Sequence, residues 1–212
     1  MNRTTAITAV AAVLVLGAGR PALADIPGVA FGLGFQSHHI LDDDEVDDDD
    51  GVDEGGVLEE TGFGGNVWLG AGFTPSFVGR VALNVNGHGI DDDEIDADVR
   101  WGSLTAEVMY LFMDPEILRP YLVGGVGAYR GMTSDDDPVD FEVNGFGGLA
   151  GIGLLYFFND SVAMDLAVRG EYISWEDASA TIQVGDTELT SEGPIDDSST
   201  VVNLMAGISF FP

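Results

Sequence analysis

Apolar residues recur at every second position along most of this chain, and the 3.6-residue spacing of an amphipathic helix does not recur past residue 24. In VAFGLGF, Val29, Phe31, Leu33 and Phe35 share one face, and Ala30, Gly32 and Gly34 the other. In FGGNVWLGAGF, Phe63, Val67, Leu69, Ala71 and Phe73 alternate with Gly64, Asn66, Trp68, Gly70 and Gly72. VGRVALNVNGH sets Val81, Leu83 and Val85 against Arg80, Ala82, Asn84, Asn86 and His88. SLTAEVMYLF sets Leu104, Ala106, Val108, Tyr110 and Phe112 against Ser103, Thr105 and Glu107. Four more segments follow: PYLVGGVGAY, FGGLAGIGLLYFF, SVAMDLAVRGEYIS and TVVNLMAGISFF. Period-2 alternation predicts eight strands.

The connections between them alternate in length. Thr74-Pro75-Ser76, the DPEILRP stretch and Asn159-Asp160 are short and carry ordinary turn chemistry. The others, about 39–61, 88–98, 131–142 and 175–199, are long and hold thirty of the thirty-seven acids. An even number of strands with long connections at one end only is the pattern of an up-and-down barrel, with both termini at the short-turn end.

The second face of each strand decides the solvent. It is not a water-facing surface, being rich in glycine with a few single charges. In MDLAVRGEYI, Met164, Leu166, Val168 and Tyr172 lie on one side, with Asp165, Arg169 and Glu171 on the other. Arg80 and Glu107 fall on the matching side of their own strands. An eight-stranded barrel has an interior just wide enough for side chains, so small residues and compensating charges suit the inside and the apolar face meets lipid. The expected fold is therefore all-β, an eight-stranded antiparallel up-and-down transmembrane β-barrel. Its expected lumen ion-pair network is Arg80, Glu107, Asp165, Arg169 and Glu171. Phe73, Phe77, Tyr110, Phe112, Tyr156, Phe158 and Phe210 gather toward the short-turn end as an expected membrane-interface girdle.

Composition narrows the compartment. Residues 1–24 read as a secretory signal: Arg3, then the apolar AITAVAAVLVLGAG, then Ala22-Leu23-Ala24 before Asp25. That leaves residues 25–212 as one barrel domain. The chain has no cysteine, which excludes disulfides and thiol chemistry. Its basic residues number seven, all Arg, and its formal net charge is −30, so nothing would neutralise a nucleic-acid backbone.

RPYLVGGVGAY, GFGGLAGIGLLYFFNDSVAMDLAVRGEYIS and, within the latter, SVAMDLAVRGEYIS resemble strands of the small outer-membrane barrels of the OmpA, OmpX and OmpW type and of the wider porin-family barrel domain. The resemblance covers residues 25–212. It implies a bacterial outer-membrane location, contact with outer-membrane lipid, and insertion by the barrel machinery through the last strand. Members of that family usually end on an aromatic residue. Here Phe210-Phe211 is followed by Pro212, and the alternation places Val202, Leu204, Ala206, Ile208 and Phe210 toward lipid.

Two motifs invite chemistry. LDDDEVDDDDGVDEGG packs ten acids into sixteen residues, but calcium-loop spacing fails: with Gly51 at position six, Asp48 and Asp50 fit while positions one and twelve are Val46 and Val57. Diffuse calcium binding over Asp42, Asp43, Asp44, Asp48, Asp50 and Asp53 is one expectation; a solvated surface suited to a salty habitat, where screening is short-ranged, is the favoured one. Ser37-His38-His39 raises a lipid-modifying hydrolase, but a nucleophile needs a base and an orienter in reach, and sequence places neither. Glycine pairs lie inside strands with no helix following, so phosphate-binding loops are absent. The sequence thus leads to the expectation of a non-enzymatic, monomeric outer-membrane barrel without a cofactor, serving envelope integrity and surface contact. A narrow pore for ions or small solutes is the alternative.

Overall fold

The computed structural model describes residues 28–41, 57–58, 61–91, 98–112, 117–133, 139–184 and 187–211. Among them the strands are β1 (Ala30–Leu41), β2 (Val57–Leu58), β3 (Thr61–Thr74), β4 (Phe77–Asp91), β5 (Asp98–Leu111), β6 (Leu118–Thr133), β7 (Val139–Asn159), β8 (Val162–Val184) and β9 (Thr187–Phe210). Each long strand pairs antiparallel with its sequence neighbour, from β3 through β9. β1 pairs with both β3 and β9, which closes the ring at eight strands. β2 is a two-residue rung on the end of β4. Closure leaves no open edge within the wall, so its backbone polar groups pair from strand to strand without needing water.

The residues explain the short turns. In the β3–β4 turn the Thr74 hydroxyl accepts from the Ser76 and Phe77 amides at 3.3 and 3.1 Å. In the β7–β8 turn the Asn159 side chain accepts from the Ser161 amide at 2.9 Å. Both are side-chain mimics of a backbone turn, which lets antiparallel strands reverse in two residues.

The two faces separate as the alternation requires. Phe31, Leu33, Phe35, Phe63, Val67, Leu69, Leu83, Val85, Leu104, Val108, Ile152, Leu166, Val168 and Leu204 are all exposed on the outer wall. Arg80, Glu107 and Arg169 are buried with Asn84, Asn86 and Asn203 inside it. A soluble protein does the reverse, so the solvent for the outer wall is hydrocarbon.

The connection 175–199, expected as an irregular acidic loop, is instead a β-hairpin. Pairing of β8 with β9 continues from Trp175↔Asp197 through Asp177↔Pro194 to Val184↔Thr187, with a bulge between Trp175 and Asp177. β7 joins it as far as Val139↔Ile182. Ala178–Val184 still alternates, and strand pairing overrides the acids and Pro194, which look like loop chemistry in isolation. The other long connections are shortened in the same way, since β4 runs to Asp91 and β6 to Thr133. The signal segment 1–24, the acidic residues 42–56 and Pro212 lie outside the described residues.

Candidate functional site in the barrel lumen

Glu107, on β5, is the hub of the interior. Its carboxylate accepts from Arg80 Nε at 2.6 Å, from Arg169 Nη1 at 3.1 Å and from the Thr105 hydroxyl at 2.7 Å. Arg80 lies directly across the β4–β5 ladder from it, while Arg169 reaches it from β8. Asp165 forms a second acceptor, taking the Tyr121 hydroxyl at 2.6 Å and the Ser209 hydroxyl at 3.3 Å. It stands 3.9 Å from Arg80 Nη1. The Arg80 guanidinium also lies 5.2 Å from the centre of the Trp68 ring, a cation–π contact that offsets part of its desolvation. Four of the five expected lumen charges are therefore brought together. Glu171 stands apart, among Gln36, His38, Tyr129 and Asn203 nearer the long-connection end, and no cation pairs with it among the described residues. Charge complementarity alone suggested it as a fifth member; the two-residue step from Arg169 lifts it out of reach.

Glycine makes room for these large groups. A Cβ at Gly70 would lie 2.9 Å from Arg80 Cβ, one at Gly125 3.1 Å from Glu107 Cγ, and one at Gly151 2.9 Å from Arg169 Cγ. Arg80, Glu107 and Arg169 are each seated over a glycine of the adjacent strand, where a side chain would collide. Part of the glycine content, read in the sequence only as small filling, is thus matched to individual bulky interior residues.

Apolar layers close the network above and below. Toward the short turns lie Trp68, Met109, Leu111, Tyr121, Leu155 and Phe211, and toward the long connections Trp101, Trp175, Ile173 and Val201. In the upper layer His38 Nδ1 and His88 Nε2 are 2.7 Å apart, and Trp101 meets Trp175 edge-on with ring centres at 5.1 Å. Sequence reasoning missed the His38–His88 contact, because it spans fifty residues and only the β1–β3–β4 register brings the rings together. Among the described residues one small cavity lies beside Asp165 and Arg169 and another beside Glu171 and Tyr129, each about 10 Å³. That is room for about one water.

On the outer wall, Phe77 and Tyr110 pack with ring centres at 4.9 Å, Tyr110 and Phe112 at 4.8 Å, and Tyr156 and Phe158 at 5.5 Å. Phe73 is exposed near the β3–β4 turn. Phe210 stacks on Phe31 at 4.9 Å, whereas Phe211 turns inward against Trp68 and Phe157. Asp42, Asp43, Asp44, Asp48, Asp50 and Asp53 lie outside the described residues. Among the described ones, no three His, Cys, Asp or Glu side chains are grouped closely enough to hold a metal ion. Ser37 and His39 share the outer face of β1, with Ser37 Oγ 3.2 Å from His39 Nε2.

Residues 8–210 match the model of the outer membrane protein beta-barrel domain. The chain belongs to that family. Its place is accordingly the bacterial outer membrane, and family members serve varied roles that include adhesion, channel formation and transport. Among solved structures the barrel is similar to a major outer membrane protein from Thermus thermophilus, at 12% identity and a TM-score of 0.60, covering 86% of this chain and 98% of that one. Neisserial surface protein A is similar at 15% identity and a TM-score of 0.55, covering 87% and 99%. Ail, the attachment invasion locus protein of Yersinia pestis, is similar at 14% identity and a TM-score of 0.50, covering 87% and 99%. At such identities the likeness is one of fold. No curated protein sequence matches the chain.

Proposed function

We propose that this chain is a closed, non-conducting outer-membrane barrel whose lumen does no chemistry and which serves envelope integrity and surface contact. The observation that carries this reading is the filled interior. Arg80, Glu107 and Arg169 cross-link β4, β5 and β8 through the lumen, apolar layers cap them at both ends, and the cavities beside Asp165 and beside Glu171 each have room for about one water. A solute path would require the Arg80–Glu107 and Arg169–Glu107 pairs to break together, stranding buried charges. Single-channel recording in planar bilayers tests it. The refolded wild-type protein should give no steady openings, and steady openings would replace this reading with that of a narrow pore.

Surface contact would be governed by the long-connection end, which takes most of the acids in a chain of net charge −30. Ail is known in complex with the heparin analogue sucrose octasulfate. A rim of this sign repels such a polyanion, so the contacts expected here are with cationic surfaces. The same charge supports a saline habitat: at 0.1 M salt the Debye length is ~10 Å and at 1 M ~3 Å, which silences repulsion among neighbouring carboxylates. Molar sodium chloride should therefore protect the acidic connections from protease as well as millimolar calcium does. Protection by millimolar calcium that sodium at equal ionic strength cannot reproduce would instead establish a divalent site over Asp42–Asp53.

A further inference from the structure

On the outer wall, three polar side chains of β1 and β3 form a relay that no part of the lumen argument uses. Ser37 Oγ is 3.2 Å from His39 Nε2, and His39 Nδ1 is 2.9 Å from Thr61 Oγ1. The strand geometry produces it. Ser37 and His39 are two apart and so share a face, and Thr61 lies directly opposite His39 in the β1–β3 ladder. In the tautomer that carries its proton on Nδ1, His39 donates to Thr61 Oγ1 and presents the Nε2 lone pair to the Ser37 hydroxyl. This is the arrangement of nucleophile, base and orienter that activates a serine.

Its depth is informative. Below it on the same face the wall is apolar through Phe31, Leu33 and Phe35, and Phe63 flanks Ser37 on β3. At its level the facing residues of β9 are still apolar, Leu204 opposite Ser37 and Val202 opposite His39, and the first polar outward residue, Thr200, follows one step higher opposite Leu41 at the end of β1. The relay therefore sits at the edge of the hydrocarbon band on the long-connection side, which in such barrels faces outward. Acyl ester linkages of outer-leaflet lipids lie at that depth, between hydrocarbon and headgroup. Beside it Gly87, opposite Phe63, puts no side chain on the outer wall and has nothing within 4 Å of its Cβ position, so an acyl chain meets no obstruction there.

We propose that Ser37, His39 and Thr61 form an esterase site on the membrane-facing wall, acting on fatty acyl esters of outer-leaflet lipid. Ser37 Oγ attacks the ester carbonyl carbon and passes its proton to His39 Nε2. The lipid alcohol leaves with that proton, and an acyl–Ser37 ester remains. Water, deprotonated by His39, attacks this ester; Oγ recovers the proton and the fatty acid departs. The net reaction is ester plus water to alcohol plus fatty acid. Ser37 and His39 are the catalytic residues, and Thr61 is a positioning residue that holds the His39 ring through its Nδ1.

This inference goes beyond the closed-barrel reading and stands or falls separately, because conductance does not report on the outer wall. The full chain, refolded into phosphatidylcholine vesicles or into vesicles containing lipopolysaccharide, is exposed to an alkyl fluorophosphonate, and fatty-acid release is followed without the probe. The expected result is a phosphonylated Ser37 peptide and release from one lipid, which identifies the ester source. Ser37→Ala and His39→Ala should each lose at least ~100-fold in release while keeping the heat-modifiable gel shift of a folded barrel. Thr61→Val should slow labelling and Thr61→Ser restore it, a rescue that a purely structural hydroxyl would not show in the labelling rate. Absence of labelling in folded wild type, labelling without release from either lipid, or equal release from wild type and Ser37→Ala overturns the proposal.

Discussion

Glu107→Leu should destabilise the folded barrel by about 3–5 kcal/mol, as expected when one partner is removed from a buried ionic cluster. The variant keeps similar volume but strands two guanidinium groups, those of Arg80 and Arg169, and leaves the Thr105 hydroxyl without its acceptor. Arg80 retains the Trp68 ring and Asp165 at 3.9 Å, too far for a hydrogen bond. Urea unfolding of the refolded protein, followed by loss of the heat-modifiable gel shift, measures the cost. Adding Arg80→Met and Arg169→Met to Glu107→Leu should recover most of it, because an apolar lumen of equal volume has no charge left to strand. If Glu107→Leu unfolds within about 1 kcal/mol of wild type, Glu107 is not the hub. The single variant should also be the first to conduct ions, since a broken cluster admits water.

Why the faces were legible in the sequence and the cluster only partly so follows from what each requires. Facing needs a period of two and nothing else. Phe35 and Leu166 therefore fall outside, and Arg80 and Asn84 inside, as alternation alone dictates. Contacts across the lumen need strand register and barrel stagger. Arg80 and Glu107 could be paired by charge, but Tyr121 to Asp165 or His38 to His88 could not be anticipated, because neutral partners carry no sign to match. Glu171 was grouped with the cluster by the same charge argument, which ignores height along the barrel. The hairpin beyond Trp175 was hidden for another reason: its acids and Pro194 resemble loop chemistry, while the stabilising ladder is a long-range property. Ser37 and His39 stand out in the sequence, yet the Thr61 hydroxyl beside His39 becomes visible only through the β1–β3 register.

Leu166→Arg and Ala167→Arg should fail in opposite ways although the residues are adjacent on β8. Leu166 is exposed on the outer wall, within the apolar band between the β7–β8 turn and the polar residues above. A charge there meets hydrocarbon, and near the bilayer midplane it costs ~2–4 kcal/mol. Leu41→Arg, also outward but at the end of β1 beside the long connections, should cost only ~0–1 kcal/mol because its head reaches the interface. Ala167 is buried and lines the lower cavity with Asp165 and Arg169. An arginine there has about 10 Å³ to enter, far less than its side chain, so Ala167→Arg should fail by overfilling and by like-charge repulsion from Arg169. The discriminating measurement is refolding yield and urea stability in detergent micelles against bilayers of graded thickness. The penalty of Leu166→Arg should shrink in micelles and thin bilayers, where water and headgroups reach the side chain, while that of Ala167→Arg should not respond, since lipid never touches it. Leu166→Arg refolding into thick bilayers with wild-type stability would mean that the outer wall does not face hydrocarbon at that depth.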